Sequence, residues 1–445
     1  QLNMQLSKNK KYQYLFFLIL IIYTIFNGGN SNLLIQVNFS LVSLLFLYSL
    51  KDKNYNLHYL NFLKTNKFSI IFYLIFLLYL VFQILPLPIE FLKIFSPEKY
   101  NIISKLHIDS SYASISLAVS NSFFQVLNFI TLLILVFIIK MLFYTERHKY
   151  RFYLFLSSLG FFSSIIAILF YLYGNPDLSI IKNTYYKNAS TGFFINRTIF
   201  AVFLLFSLIA SLELLRNFQI KVNQKKDNFF LKIYIRLFVV FITIGIVTSF
   251  SRIGNFLFLG TILLYLINEF YFAKIKNNSI KYIIILILLI DILIIGFYFG
   301  GSKIIDRFYF LSNEFDEIYS HGVNYSRFDI AKFGFFQLKN YLFFGYGAGG
   351  FENLFQLNFI GSSSKYANHA HSDLVEFIGE LGFFGCGLLL SSLLNFFINK
   401  NSYSFINMII LFYLIILLFF DFSLHIPVIQ IMLLIFLTLN QKKFN

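Results

Sequence analysis

Charge is what this sequence has least of. Only 13% of its 445 residues are Asp, Glu, Lys or Arg, about half the share of an ordinary soluble domain. Acids are scarcer still: 20, against 36 basic residues. A single cysteine, Cys386, excludes a disulfide framework and any cysteine-based zinc or iron–sulfur site. There is no tryptophan, and the heavy use of Phe, Asn, Lys and Ile reads as coding bias. A disordered chain would be polar, and a collagen-like fibre would need far more Gly and Pro than 22 and 5. What is present is apolar: 58% hydrophobic residues, with 63 Phe. The length would suggest about three soluble domains. With this composition it predicts one integral-membrane domain over residues 1–445.

Apolar runs bounded by polar clusters recur along the chain. Twelve spans are expected, at 12–26, 33–50, 68–85, 122–142, 152–173, 198–215, 233–250, 254–272, 282–300, 374–398, 405–420 and 427–439. A membrane barrel would show alternating strands of about ten residues. These runs are continuous, so the expected fold is an all-α polytopic membrane protein. No small-residue cleavage site follows the first run, and Asn27-Gly28-Gly29-Asn30 reads as a tight turn. The natural start is left open between Gln1 and Met4.

Basic residues concentrate in cytoplasmic loops. With the N-terminus inside, more than half of the 36 basic residues fall in inside segments, and both termini are expected in the cytoplasm. The surplus positive charge is thus a topology signal. Nucleic-acid binding would need a clustered basic face, so membrane lipids are expected as partners and nucleic acid is not. Three outer loops exceed mere connectors: 86–121, 174–197 and 301–373. The last has helical patterning at 326–340 and breaks at Gly345–Gly350. A small folded lid with short helices is expected there.

Charges at a membrane boundary are costly unless paired or working. Four outer positions stand out. Arg197 precedes a span, Arg252 sits between two spans with almost no loop, Arg327 opens the lid helix, and His371 precedes a span. Arginines can also snorkel to headgroups; Arg252 departs most from that because its turn is so short. Chemically, three Arg and one His fit a phosphate-bearing substrate. Guanidinium binds phosphate oxygens bidentately and can stabilise a pyrophosphate leaving group without a metal. Histidine can take the proton of an attacking hydroxyl.

His371-Ser372, nine residues, Gly382, two residues, Gly385 resembles the His-[Asn/Ser/Gln]-x9-Gly-x-x-Gly pattern of the O-antigen ligase family. The stretch Phe343 to Phe351 resembles the family's Gly-rich segment before that histidine. Thr191-Gly192-Phe193 with Asn196-Arg197, the turn Ser251-Arg252, and Pro86-Leu87-Pro88 with Ser96-Pro97 are similar to further family segments. The resemblance covers roughly 80–390. It departs at Thr198, where the family often has a second Asn, and at Ile253, where it often has Gly.

The resemblance implies a GT-C-like architecture and a glycosyltransferase of the bacterial inner membrane, with its active site on the periplasmic face. The implied reaction is metal-independent, cofactor-free inverting transfer of a polysaccharide in lipopolysaccharide biosynthesis. The donor would be a glycan on undecaprenyl pyrophosphate, the acceptor a sugar hydroxyl of lipid A–core or another glycan. His371 would be the base or acceptor-positioning group. Arg252 and Arg327 would hold the pyrophosphate, with Arg197 a third cation. Asn196, Ser251, Gly347, Gly349 and Ser372 would line the substrate site.

Alternatives remain at this stage. A polysaccharide polymerase would use the same chemistry, although no Arg here has a Gly eleven positions later, as some polymerases have. A protein O-glycosylating transferase is disfavoured by the expectation of no extra outer domain after the last span. A transporter or flippase of lipid-linked sugars is the rival of a different class; Asp421 and His425 could relay protons in one, but a boundary role is preferred. Broken half-helices of the transporter kind are not expected. His369-x-His371-x-Asp373, if extended, could form a metal triad, and Glu314-x-Asp316-Glu317 could hold a divalent cation. Gly345–Gly350 lacks the Lys-Ser/Thr ending of a nucleotide loop. Asp291 could face the bundle interior. Glu376 and Glu380 share a helix face and could pair with an Arg or cap a span. Cys386 reads as a packing residue. Sugar identity and oligomeric state are left open.

Overall fold

The computed structural model describes residues 2–51, 53–107, 110–177, 186–220, 229–272, 327–359, 366–398 and 404–439. The expected span 282–300 with Asp291, and the Glu314–Glu317 cluster, lie outside the described residues.

The described chain is helical almost throughout. Its α-helices are α1 (Leu2–Ile25), α2 (Asn32–Leu50), α3 (Lys53–Thr65), α4 (Lys67–Ile84), α5 (Ile89–Phe95), α6 (Pro97–Lys105), α7 (Val119–Leu142) and α8 (Glu146–Leu172). They continue with α9 (Arg197–Ile220), α10 (Phe229–Thr248), α11 (Arg252–Ile267), α12 (Arg327–Tyr341), α13 (Phe351–Asn358), α14 (Asp373–Ile398), α15 (Phe405–Phe420) and α16 (Pro427–Leu439). Among the described residues, eight helices are long and apolar enough to cross a membrane: α2, α4, α7, α8, α9, α10, α11 with the turn after it, and α14. Each coincides with an expected span. α15 and α16 match the expected eleventh and twelfth runs, at 16 and 13 residues. The protein is therefore an all-α polytopic membrane protein.

Burial ranks the helices. The apolar part of α9 is entirely buried, whereas α2 and α4 leave Leu33, Leu44, Phe68 and Leu78 exposed, as lipid-facing side chains would be. Small residues let neighbouring helices approach α9 closely, the usual device where lipid removes a hydrophobic drive between helices. Gly160 on α8 faces Ser207, Gly245 on α10 faces Leu204, and Gly254 on α11 faces Ala201. Ser157 and Ser211 add a buried hydrogen bond of 2.6 Å between α8 and α9. Part of the aromatic excess packs inside: Phe17 stacks on Phe155 with centroids 4.1 Å apart, next to Phe143 and Phe152.

Two features were not expected. α3 is a helix where only an inside loop was anticipated; it docks through Tyr59, whose hydroxyl lies 2.8 Å from that of Ser49. More consequentially, α14 is broken. Gly382 has φ 65° and ψ 173°, so the span divides into two half-helices. A break inside a membrane helix frees carbonyls that must find other donors. Two polar residues of α4 supply them. The Tyr79 hydroxyl donates to Leu381 O at 2.8 Å, and Gln83 Nε2 donates to Glu380 O at 2.9 Å.

In the 86–121 segment, β1 (Leu87–Pro88) pairs antiparallel with β2 (Tyr112–Ala113), with Leu87 opposite Ala113. This clip delivers residues 114–118 to the Gly-rich stretch.

Candidate functional site

The residues singled out by sequence fall into two groups at one end of the helices. The first is built from two helix starts. Asn196 Oδ1 accepts from Thr198 N–H at 2.7 Å, and Ser251 Oγ accepts from Gly254 N–H at 3.1 Å. Both are the cap oxygens that unpaired first-turn amides need. Arg197 and Arg252 are consequently the first residues of α9 and α11. The caps meet: Ser251 Oγ donates to Thr198 Oγ1 at 3.0 Å. The Arg197 guanidinium lies over the Tyr186 ring, 5.1 Å from its centroid. Phe250, just before the Ser-Arg turn, has φ 49°.

The second group centres on His371. Its φ of 57° is left-handed, a conformation that costs a non-glycine residue roughly 1–3 kcal/mol unless its surroundings impose it. The surroundings do. The carboxylate of Glu376 accepts from Ala370 N–H and from His369 Nδ1, both at 2.8 Å. Asp373 N–H donates to Asp421 O at 2.8 Å, and Ser372 Oγ to Leu418 O at 3.3 Å. The chain is thus pinned on both sides of His371. Its ring meets Phe422 edge-on, and its Nδ1 is buried without a hydrogen-bond partner among the described residues. Burial, with the charges of Arg327 and His369, pushes its proton affinity down to a pKa of about 4. The imidazole is therefore unprotonated at ordinary pH, and a weaker base than an exposed histidine. α12 packs through Gly334 on Ala370 and Val375, and Arg327 is near enough for its charge to act on both His371 and Asp421.

The two groups are joined by the turn between α15 and α16. A side chain at Gly28 would touch Val428, Ile426 and Phe194 together, and Asn27 Oδ1 accepts from Ile195 N–H at 2.9 Å. Residues 426–428 thereby abut the segment that carries Asn196 and Arg197.

Behind His371 lies a buried cluster of acids and histidines. Asp373 accepts hydrogen bonds from Leu424 N–H, at 2.8 Å, and from His425 Nδ1. His425 Nε2 lies 3.8 Å from Glu376 and 3.5 Å from Glu380. Burial opposes charge on His425 and His369, but their carboxylate neighbours outweigh it and raise both pKa values. The Asp421 carboxyl, next to the Ser423 hydroxyl, is raised by burial. Among the described residues, Glu376 and Glu380 thus pair with histidine rather than with an Arg. The sequence triad His369, His371, Asp373 does not converge: His369 turns to Glu376 and Asp373 to His425. Three other residues, Glu376, Glu380 and His425, hold ligand atoms within 4.8 Å of one another.

The Gly-rich stretch is a buttress for the break in α14. Tyr346 N–H donates to Gly379 O at 2.9 Å and Gly347 N–H to Glu380 O at 3.1 Å. A side chain on Gly382 would collide with the Phe343 carbonyl, and one on Gly347 with Ser116. Gly349 packs on Asn121, and Gly385 on Tyr79. The glycine spacing after His371 therefore marks a broken helix whose first half presents the histidine. Cys386 follows the break, its Sγ 3.4 Å from Phe377 O. Sequence reading missed Tyr79 and Gln83; polar residues four apart in an apolar span were their only signal.

A family model described as O-antigen ligase matches residues 237–390. That window holds Arg252, Arg327, His371, Gly382 and Gly385; Asn196 and Arg197 precede it, and His425 follows it. No curated protein matches the chain. The fold is that of a multi-pass membrane protein, and the match suggests a glycosyltransferase-like enzyme. More particularly, the chain carries an O-antigen ligase family domain across residues 237–390. The match supports a ligase- or polymerase-type function and implies a glycan donor, a glycan acceptor and membrane lipids as partners.

Proposed function

We propose that the protein transfers a polysaccharide from undecaprenyl pyrophosphate to a sugar hydroxyl of lipid A–core, by inverting transfer that requires no metal at the reacting atoms. The observation that carries this is His371: a half-buried, unprotonated imidazole whose buried Nδ1 has no hydrogen-bond partner among the described residues, held in a left-handed backbone within reach of the Arg327 charge. Such a group can take the acceptor hydroxyl's proton as that oxygen attacks the anomeric carbon. Arg327 and Arg252 bind the departing pyrophosphate, whose charge grows as the glycosyl bond breaks. Arg197 adds a third cation near the cap formed by Asn196 and Ser251, while Gly347, Gly349 and Ser372 shape the walls. The protein works as one membrane domain of the bacterial inner membrane, both termini cytoplasmic, with 86–121, 174–197 and 301–373 on the periplasmic face.

The test is reconstitution of purified protein with a lipid-pyrophosphate glycan and lipid A–core. Transfer without added divalent ion, lost in His371→Ala, is expected. Chain growth on a second lipid-linked glycan alone would make the enzyme a polymerase. Movement of the lipid-linked glycan without bond formation would overturn the proposal, and a strict need for added divalent ion would overturn its metal-free chemistry.

A further inference from the structure

The transfer chemistry uses His371 and the arginines, and leaves the acid–histidine cluster behind them without a task. We propose that Glu376, Glu380 and His425 hold one divalent transition-metal ion of the zinc class, bracing the first half of α14 against the turn 421–426. The ion lies behind the reacting groups and does not depend on the proposed reaction.

Geometry is the first support. His425 Nε2 is 3.5 Å from Glu380 Oε2 and 3.8 Å from Glu376 Oε1. A tetrahedral zinc with bonds of about 2.0–2.1 Å keeps its ligand atoms roughly 3.3 Å apart. The two separations are long for hydrogen bonds and near what a shared ion requires. The unpartnered atoms are the second support. His425 Nε2 and Glu380 Oε1 are buried and have no hydrogen-bond partner among the described residues. Their residues are only 8% and 3% exposed. Orphaned polar atoms at such depth are expensive.

The surroundings supply what metal ligands need behind them. Asp373 holds His425 at Nδ1, which leaves Nε2 as the ligating nitrogen, the usual carboxylate–histidine–metal relay. Glu376 is fixed by Ala370 N–H and His369 Nδ1. Charge is the third support. Three acids, Asp373, Glu376 and Glu380, stand with two imidazoles in this cluster, and a dication offsets the charge of those that are ionised. Carboxylate and imidazole together suit zinc.

The experiment is metal analysis of the full-length protein purified in detergent, followed by chelation and titration with zinc chloride while thermal unfolding is recorded. About one zinc per chain and a rise in Tm on adding zinc to the stripped protein are expected. Glu380→Gln, nearly isosteric, should weaken zinc binding at least tenfold, and His425→Gln likewise. The wild-type titration decides the matter alone should either variant fail to fold. No zinc above the detergent blank with no zinc-dependent change in Tm would overturn the proposal and assign the site to an imidazolium proton. Undiminished binding in both variants would overturn it too. Loss of glycan transfer in His371→Ala bears only on the proposed reaction and leaves this result untouched.

Discussion

Two buried charge clusters occupy opposite ends of the helices around α9, and they are built from different cations. Away from the candidate site, Arg216 lies 3.6 Å from both Glu213 and Glu269, and the Tyr265 hydroxyl donates to Glu213 at 3.0 Å. A guanidinium keeps its charge at any ordinary pH, so this cluster is a fixed brace between α9 and the end of α11. At the site end, among the described residues, no guanidinium stands with Asp373, Glu376 and Glu380; His369 and His425 face them instead. Imidazoles gain and lose charge. The difference teaches where the molecule keeps fixed charge for structure and where it keeps charge that a proton, an ion or a substrate can change.

Substitutions can break that contrast. The largest effect is expected from His371→Ala, which should lower the transfer rate by about 10²–10⁴-fold, the usual worth of a general base, with Tm nearly unchanged. Initial rates on equal amounts of folded protein check it. Arg216→Met should do the reverse. It strands Glu213 and Glu269, at a cost of about 3 kcal/mol, the lower end for a broken buried pair because Arg216 is partly exposed. Thermal unfolding reads this loss, while the rate per folded molecule should hold.

The pH response sharpens the contrast further. His371 is pushed down to about 4 in the fold from its ordinary 6.5. The unfolded chain therefore binds the extra proton first as pH falls. The stability linked to this group is fully present above about 6.5 and is lost as pH falls towards about 4. Unfolding curves across that window should flatten in His371→Asn and keep the wild-type slope in Arg216→Met. The smallest effects are expected at helix caps. Ser404 caps α15, its Oγ accepting from Asn407 N–H at 3.2 Å, and Asn196→Ala and Ser404→Ala should each cost about 1 kcal/mol. Only the first should also raise KM for the lipid-linked donor, because Asn196 caps the helix that Arg197 begins.

The spans were legible because continuous apolar runs ended at polar clusters; α15 and α16 fall on the expected residues. α3, α5, α6 and α13 were less so, since short amphipathic helices carry little periodic signal. The break at Gly382 was invisible as a break: it is one of four glycines in the run, Gly379, Gly382, Gly385 and Gly387, and only a carbonyl standing where its side chain would be sets it apart. The site was half legible. His371 and the three arginines stood out because charge is so rare here. Their supports did not. His425 and Asp373 are 52 residues apart, and only the packing of the α15–α16 turn on the start of α14 brings them together.

The central claim is that His371, Arg327, Arg252 and Arg197 together drive glycan transfer from a lipid pyrophosphate. It is tested most directly by incubating purified wild type, His371→Ala and Arg327→Ala with undecaprenyl-pyrophosphate glycan and lipid A–core, and resolving the products by gel and mass spectrometry. Glycan joined to lipid A–core by the wild type, and lost in both variants at unchanged Tm, is the predicted result. Wild-type rates in His371→Ala, or no glycosidic bond formed by the wild type, would contradict it.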